Sequence, residues 1–222
     1  MEKQIMAHLL HVDSSALSAG SVSKEIADTF RKTWNAEHPD GTVTHRDLGA
    51  NPVPALPEAG IFAGAVAAEQ RTPEQAAAFA VREELIGELE QADAVLFTVP
   101  MYNWGIPGTF KSYLDQIILV GRTMIDGNPP LAGKPVTVIL SYGGGYDPGT
   151  PREGWDFVQP YLEKVLVQAL GLDVKFIKVQ LTLATRVPAM ESLIPAAEQL
   201  RADAHESAET HARALASAFA AA

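Results

Sequence analysis

The chain has 222 residues, 47% hydrophobic and 20% charged, an ordinary globular balance with enough length for one large domain and a sizeable core. Its net charge of −10 argues against a nucleic-acid backbone or an anionic membrane surface as partner. The absence of cysteine excludes disulfides, thiol catalysis, iron–sulfur clusters and thiolate zinc sites.

At the start of the chain Glu2 offsets Lys3, and His8 and His11 interrupt the apolar stretch, a poor secretion signal. No run approaches the ~18 apolar residues needed to cross a bilayer. A soluble protein of the cytoplasm is expected. Two hydrophobic periods then alternate along the chain. Ala7 to Val12 reads as a first strand. Ser21 to Asn35 reads as a helix, with Ile26, Phe30 and Trp34 on one face. Thr42 to Leu48 is a more polar strand, suited to a sheet edge, and the proline-rich stretch from Ala50 to Pro57 is a loop. Thr72 can cap a helix with Pro73 at its first position; that helix runs to about Glu90 and buries Phe79, Ile86 and Leu89.

Ala94 to Val99 is a buried strand, rich in β-branched and aromatic residues and stopped by Pro100. Thr109 to Leu119 is a helix with Phe110, Leu114, Ile117 and Ile118 inward. Val136 to Leu140 is the fourth strand. Trp155 to Leu170 is a helix burying Val158, Leu162, Val165 and Leu166. Asp173 to Val179 is the fifth strand, and an alanine-rich helix runs from about Leu193 to the end. Neither a repeat nor a linker divides the chain, so residues 1–222 are expected to form one domain. Five strands alternating with helices predict an α/β doubly wound parallel sheet, in the usual order 2-1-3-4-5. Ligands of such sheets bind beyond the carboxyl ends of the strands that flank the order reversal, here strands 1, 3 and 4.

The loops at those three ends carry unusual chemistry. After strand 1, residues 13–23 bring five serines and a glycine to a helix N-terminus, where free N–H groups and hydroxyls favour an anion. Neither G-x-x-x-x-G-K-[ST] nor G-x-G-x-x-G is present, so a single terminal phosphate fits better than a triphosphate or dinucleotide. The alternative is a serine-rich loop whose only task is to cap the helix through Ser21 or Ser23. After strand 3 come Met101, Tyr102, Asn103 and Trp104, flat faces with a polar hook; the alternative is an aromatic plug on a loop. After strand 4 come Ser141, Tyr142 and three glycines, Gly143 to Gly145, whose amides can approach a ligand or form an anion nest. The alternative there is a flexible loop needing positive φ. Ser141 is no nucleophile elbow, because G-x-S-x-G would need glycine where Ile139 stands. Together the loops describe a mononucleotide with a large flat ring, such as flavin mononucleotide (FMN). Amides at the ring's polar edge would stabilise negative charge developing there.

These motifs carry a family resemblance. The serine loop ending Ser21-Val22-Ser23, the segment Pro100-Met101-Tyr102-Asn103-Trp104 and Ser141-Tyr142-Gly143-Gly144 resemble the FMN-dependent NAD(P)H azoreductases. Arg46-Asp47-Leu48 with Asn51-Pro52, and Pro160-Tyr161-Leu162, resemble them too, so the likeness spans nearly the whole chain. The resemblance implies a flavodoxin-like three-layer sandwich, a homodimer, and reduction of quinones as well as azo compounds. It implies flavin contacts at Ser15, Ser21, Val22, Ser23, Met101, Tyr102, Asn103, Trp104, Ser141, Tyr142, Gly143 and Gly144. It also implies FMN as cofactor, NADH or NADPH as donor, two successive hydride transfers, and neither a protein nucleophile nor a metal. Met124 stands where family members often carry an aromatic residue, and Tyr146 is a candidate for hydrogen-bonding a quinone oxygen.

His11 is expected to be packed and hydrogen-bonded rather than an acid or base. The other histidines show no metal-ligand pairing on one helix face. A second reading of the same site is a flavodoxin-type electron carrier. Against it stand extra loops at 50–71, 120–134 and 145–155, which could cover a substrate or build a dimer. A flavin-free phosphoacceptor would need clustered acids at the strand ends, where Asp13 stands nearly alone.

Overall fold

The computed structural model describes residues 6–220; Glu2, Lys3 and the last two residues of the predicted terminal helix lie outside the described residues. Five strands form one parallel sheet: β1 (His8–Asp13), β2 (Thr42–Asp47), β3 (Ala94–Pro100), β4 (Pro135–Ser141) and β5 (Asp173–Val179). The order is β2-β1-β3-β4-β5, as the alternation of periods predicts. Central β3 is buried along its whole length, which is why it reads as an unbroken apolar run; edge strand β2 is partly exposed throughout. The edge is tied down electrostatically. Arg46 pairs with Glu84 and Glu88, and Lys24 reaches Asp47 at 2.7 Å.

The pleat sends alternate side chains to opposite faces, and each face is covered by helices. Leu9, Leu96, Ile139 and Ile177 meet α1 (Val22–Glu37) and α6 (Ile194–Ala220). On α6 the residues facing that layer are Ala204, Ala208, Ala212 and Ala216, all buried, and their small size lets α6 lie close to Ile26, Phe30 and Trp34 of α1. On the other face Leu10, Val12, Val95, Phe97, Val99, Val138 and Leu140 meet α3 (Pro73–Gln91), α4 (Gly108–Ile117) and α5 (Gln159–Leu162). A one-turn helix, α2 (Glu58–Ile61), sits in the long loop before α3. The start of α3 is the expected one: Thr72 accepts from the Gln75 amide N–H, the Gln75 side chain accepts from Thr72 N–H, and Pro73 stands in the first turn.

Two helices differ from the expectation. The predicted helix from Trp155 begins only at Gln159, because the Asp156 carboxylate accepts from the N–H groups of Val158 (2.9 Å) and Gln159 (3.2 Å) and so ends the preceding loop. Beyond Leu162 it continues as a π-helical stretch, Glu163–Ala169, where Leu170 N–H reaches back to the Val165 carbonyl at 3.1 Å. Helix α4 stops at Ile117, two residues short of the predicted Leu119. The Thr123 hydroxyl takes the Ile117 carbonyl at 2.6 Å and itself accepts from Leu119 N–H at 2.8 Å, which closes the chain into a turn.

Candidate active site

Strand β1 delivers the serine loop. The Ser14 hydroxyl donates to the Thr98 carbonyl at 2.5 Å, which moors the loop to β3. Ser21 caps α1, its side chain accepting from Lys24 N–H, and its hydroxyl lies 3.3 Å from that of buried Ser23. Gly20 takes φ +70°, a left-handed turn that leads the chain into the helix. Among the described residues, the backbone N–H groups of Ser18, Ala19, Gly20 and Ser21 meet no protein acceptor. The loop therefore offers free amides next to the hydroxyls of Ser15 and Ser21.

Strand β3 delivers the aromatic segment. Tyr102 and Gly105 exchange two backbone hydrogen bonds, 3.0 and 3.1 Å, around Asn103 and Trp104. Both central residues have positive φ, +49° and +67°, as a type I′ turn demands. Non-glycine residues hold such angles only where the surroundings over-determine them, and they cluster at functional sites. One anchor is visible. The Tyr102 hydroxyl accepts from Ala16 N–H at 3.0 Å and lies 3.4 Å from the Ser15 hydroxyl, so the aromatic turn and the serine loop are joined. Trp104 leans outward against Trp155, their rings edge-on at 5.3 Å, and its carbonyl accepts from Phe157 N–H.

Strand β4 delivers the glycines. Among the described residues the N–H groups of Gly143, Gly144 and Gly145 have no protein acceptor, whereas the Gly143 and Gly144 carbonyls accept from Leu183 and Leu181. A Cβ on Gly143 would stand 2.7 Å from Leu183 Cδ1, so any larger residue there would have to push the Leu183 side chain, itself part of the cleft wall, aside. Tyr142 differs from its neighbours: its ring is fully buried and its hydroxyl donates to Asp156 at 3.0 Å. Burial first, and then the Asp156 charge, push that phenol far above its ordinary value.

The loops enclose an open cleft of about 220 Å³. Of the residues expected here, Ser15, Ser21, Val22, Met101, Tyr102, Ser141 and Gly143 line it. Asn103, Trp104 and Gly144 stand beside it on the same loops, and Ser23 and Tyr142 are buried behind it. Met124 packs partly on the main core and Tyr146 packs beside Tyr142, neither lining this cleft. Gly20 of the serine loop lines it too, and the reading by residue type passed over Leu17, Thr182, Leu183 and Arg186, which complete the lining. A separate, smaller hollow of about 50 Å³ between α1, α6 and the end of β5 shares only Val22 and Thr182 with this cleft.

Beneath the serine loop lies a cluster that no helix-based search would find. In the parallel register His11 stands opposite His45, and their rings stack at 4.6 Å. The buried Asp13 carboxylate accepts from His45 Nε2 at 2.8 Å, from His11 Nε2 at 3.2 Å and from the Thr98 hydroxyl at 2.7 Å. Burial by itself would raise the Asp13 pKa; the hydrogen bonds from the two imidazoles, the charge interaction with His11 and the Thr98 hydroxyl override it and hold the carboxyl well below its usual range. The three side chains could converge on a cation, their ligand atoms lying within 4.8 Å. A metal-bound imidazole, however, normally gives its second N–H to an acceptor, and buried His11 Nδ1 has none. The cluster is thus described by its hydrogen bonds, with His11 packed as expected.

Comparison with known proteins places this geometry. Residues 7–204 match the family described as "Flavodoxin-like fold". An FMN-dependent NADH:quinone oxidoreductase of Streptomyces avermitilis is 55% identical over 217 residues, covering 97% of this chain and 100% of that protein. A protein of the same name from Parafrankia is 46% identical over 212 residues, covering 94% of this chain and 100% of its own length. Among solved structures, an azoreductase from Bacillus anthracis superposes with a TM-score of 0.80 at 22% identity, covering 94% of this chain and 99% of that one, a likeness of fold. The chain belongs to the flavodoxin-like family, in the branch that holds the FMN-dependent NADH:quinone oxidoreductases.

Proposed function

We propose that this chain is an FMN-dependent NADH:quinone oxidoreductase that also reduces azo compounds, acting as a cytoplasmic homodimer with residues 1–222 as one flavin-binding domain. The observation that carries the reading is the joined cradle: free amides and hydroxyls from residue 15 to 22, linked through the Tyr102 hydroxyl to a strained turn that presents Asn103 and Trp104. Its place at the reversal of strand order and the 55% identical relative support it.

The donor set suits the cofactor. Ser15, Ser21, Val22 and the free loop amides would take the terminal phosphate, with Ser23 supporting them from behind. Met101, Tyr102, Asn103 and Trp104 would line the ring, and the N–H groups of Gly143 and Gly144, flanked by Ser141 and Tyr142, would face its polar edge. Held there, FMN would supply the redox chemistry, hydride exchange between NADH or NADPH and a quinone or azo acceptor. The chain's residues orient the partners and offer amide dipoles where negative charge develops, without a protein nucleophile. Tyr146 and Met124 would meet the acceptor only if the dimer or bound substrate brings them to the cleft. Exposed Trp104, Trp155 and Phe157 form an apolar patch at the rim, which supports a dimer that covers it. No helix among the described residues is long and apolar enough to cross a membrane.

The test is anaerobic reduction. With FMN bound, added NADH should bleach the flavin absorbance within a turnover, and a quinone or azo dye should restore it. Bound flavin that NADH leaves oxidised would turn the assignment to an electron carrier, and a chain that takes up no FMN would overturn it.

A further inference from the structure

The fourth wall of the cleft comes from the loop after β5, and this loop is stitched to the glycine loop. Thr182 N–H donates to the Tyr142 carbonyl at 3.0 Å, Leu183 N–H to Gly143 at 3.2 Å and Leu181 N–H to Gly144 at 3.3 Å. Leu181 takes φ +59° to make the turn, Ala184 is buried, and Arg186 N–H closes back on the Leu183 carbonyl at 2.9 Å. The backbone beneath Arg186 is thus held in place, and its side chain lines the cleft opposite the serine loop.

The guanidinium has a specific neighbour and no specific partner. Its Nη2 lies 3.2 Å from the point where a Cβ on Gly20 would stand, which sets the guanidinium against the serine loop at the start of α1. Among the described residues no carboxylate or other acceptor takes any of its N–H groups, although the chain carries 27 acidic against 17 basic residues. Lys24, on the adjoining helix, is already paired with Asp47 at 2.7 Å. The cleft lining contains no acidic residue and no second base: it offers serine and tyrosine hydroxyls, apolar surface and this one cation. Such a donor set matches a phosphate monoester, which a guanidinium can grip through two parallel N–H bonds.

We infer that Arg186 is the charged contact for the terminal phosphate of the bound mononucleotide and sets the preference for phosphorylated flavin over riboflavin. This rests on the FMN reading above and deepens it. Because the loop carrying Arg186 is hydrogen-bonded to Gly143 and Gly144, the phosphate grip and the ring-facing amides belong to one continuous strap.

The test is a pair of titrations, FMN and riboflavin, into the full chain stripped of flavin, for wild type, R186M and R186K. R186M keeps the apolar stem of an exposed side chain, and circular dichroism with a melting curve verifies that it folds. The expected result is an FMN Kd raised about tenfold or more in R186M, a riboflavin Kd within about twofold of wild type, and a partial recovery in R186K. Added salt should weaken FMN binding to wild type more than to R186M. An unchanged FMN Kd, or equal weakening of both ligands, would overturn the inference while leaving the FMN reading intact. Failure of wild type to bind FMN would instead bring down the reading and the inference together.

Discussion

Asn103 and Trp104 show how much of the site rests on single backbone angles. Each occupies left-handed space, where a residue other than glycine costs roughly 1 kcal/mol or more. Asn tolerates that region better than most residues, so Asn103→Ala should both strain the turn and remove the amide. The expected outcome is a raised FMN Kd with a slightly lower melting temperature. Asn103→Gly should restore the melting temperature without restoring affinity, and fluorescence titration with thermal melts checks both. Asp13 makes a different kind of prediction. Its carboxyl is depressed when folded, so its stabilisation is present above the unfolded value of 3.8 and is lost as pH falls toward the much lower folded value. Asp13→Asn should cost about 2 kcal/mol at neutral pH, since hydrogen bonds to a buried charge are lost. The gap between variant and wild type should persist down to about pH 4 and narrow below it in urea titrations. A gap that widened steadily from pH 4 to pH 2 would contradict the assignment.

Helix α5 starts where a side chain permits it. The Asp156 carboxylate serves two backbone N–H groups and the buried Tyr142 hydroxyl, so one residue joins the helix start to the end of β4. Asp156→Ala should destabilise the protein by about 1–3 kcal/mol, because it strips the acceptor from the N–H groups of Val158 and Gln159 and leaves a buried hydroxyl unpaired. Adding Tyr142→Phe should recover part of that loss, and a double-mutant cycle in chemical denaturation measures the coupling. At this scale the sequence was legible where periodicity ran uninterrupted. Strands β3, β4 and β5 and helices α1 and α3 fall within a residue or two of their predicted spans. It was less legible at α4 and α5, where the boundaries depend on the side chains of Thr123 and Asp156 bonding to backbone groups, which an apolar pattern does not register. The serine, aromatic and glycine loops stood out because residue type alone marks them. The Arg186 loop has no motif; only its hydrogen bonds to residues 142–144 place it at the cleft. His11 and His45 were passed over as a pair although His11-Val12-Asp13 and His45-Arg46-Asp47 repeat the same spacing at two strand ends, a signal that parallel pairing turns into proximity.

On the scale of the whole molecule, strand order explains why a chain this size concentrates its unusual residues at one end. The sheet reverses between β1 and β3, the helices leave in opposite directions, and the gap they open is filled by loops with free amides. The patch of Trp104, Trp155 and Phe157 at the rim should be covered in a dimer. Phe157→Glu is therefore expected to lower the sedimenting mass toward that of one 23.8 kDa chain and to loosen flavin retention with it. An unchanged mass would place the interface elsewhere. The same pair of indoles has a further consequence, in optics. The chain has three tryptophans, and Trp34 is sealed under α6, whereas Trp104 and Trp155 meet edge-on and half exposed. Two indoles this close share their strong excited states, which gives a paired signal of opposite sign in far-ultraviolet circular dichroism. Their emission also lies where a yellow cofactor absorbs. The rim therefore carries its own lamp: loading of the cleft can be followed by the dimming of native fluorescence, with no dye attached.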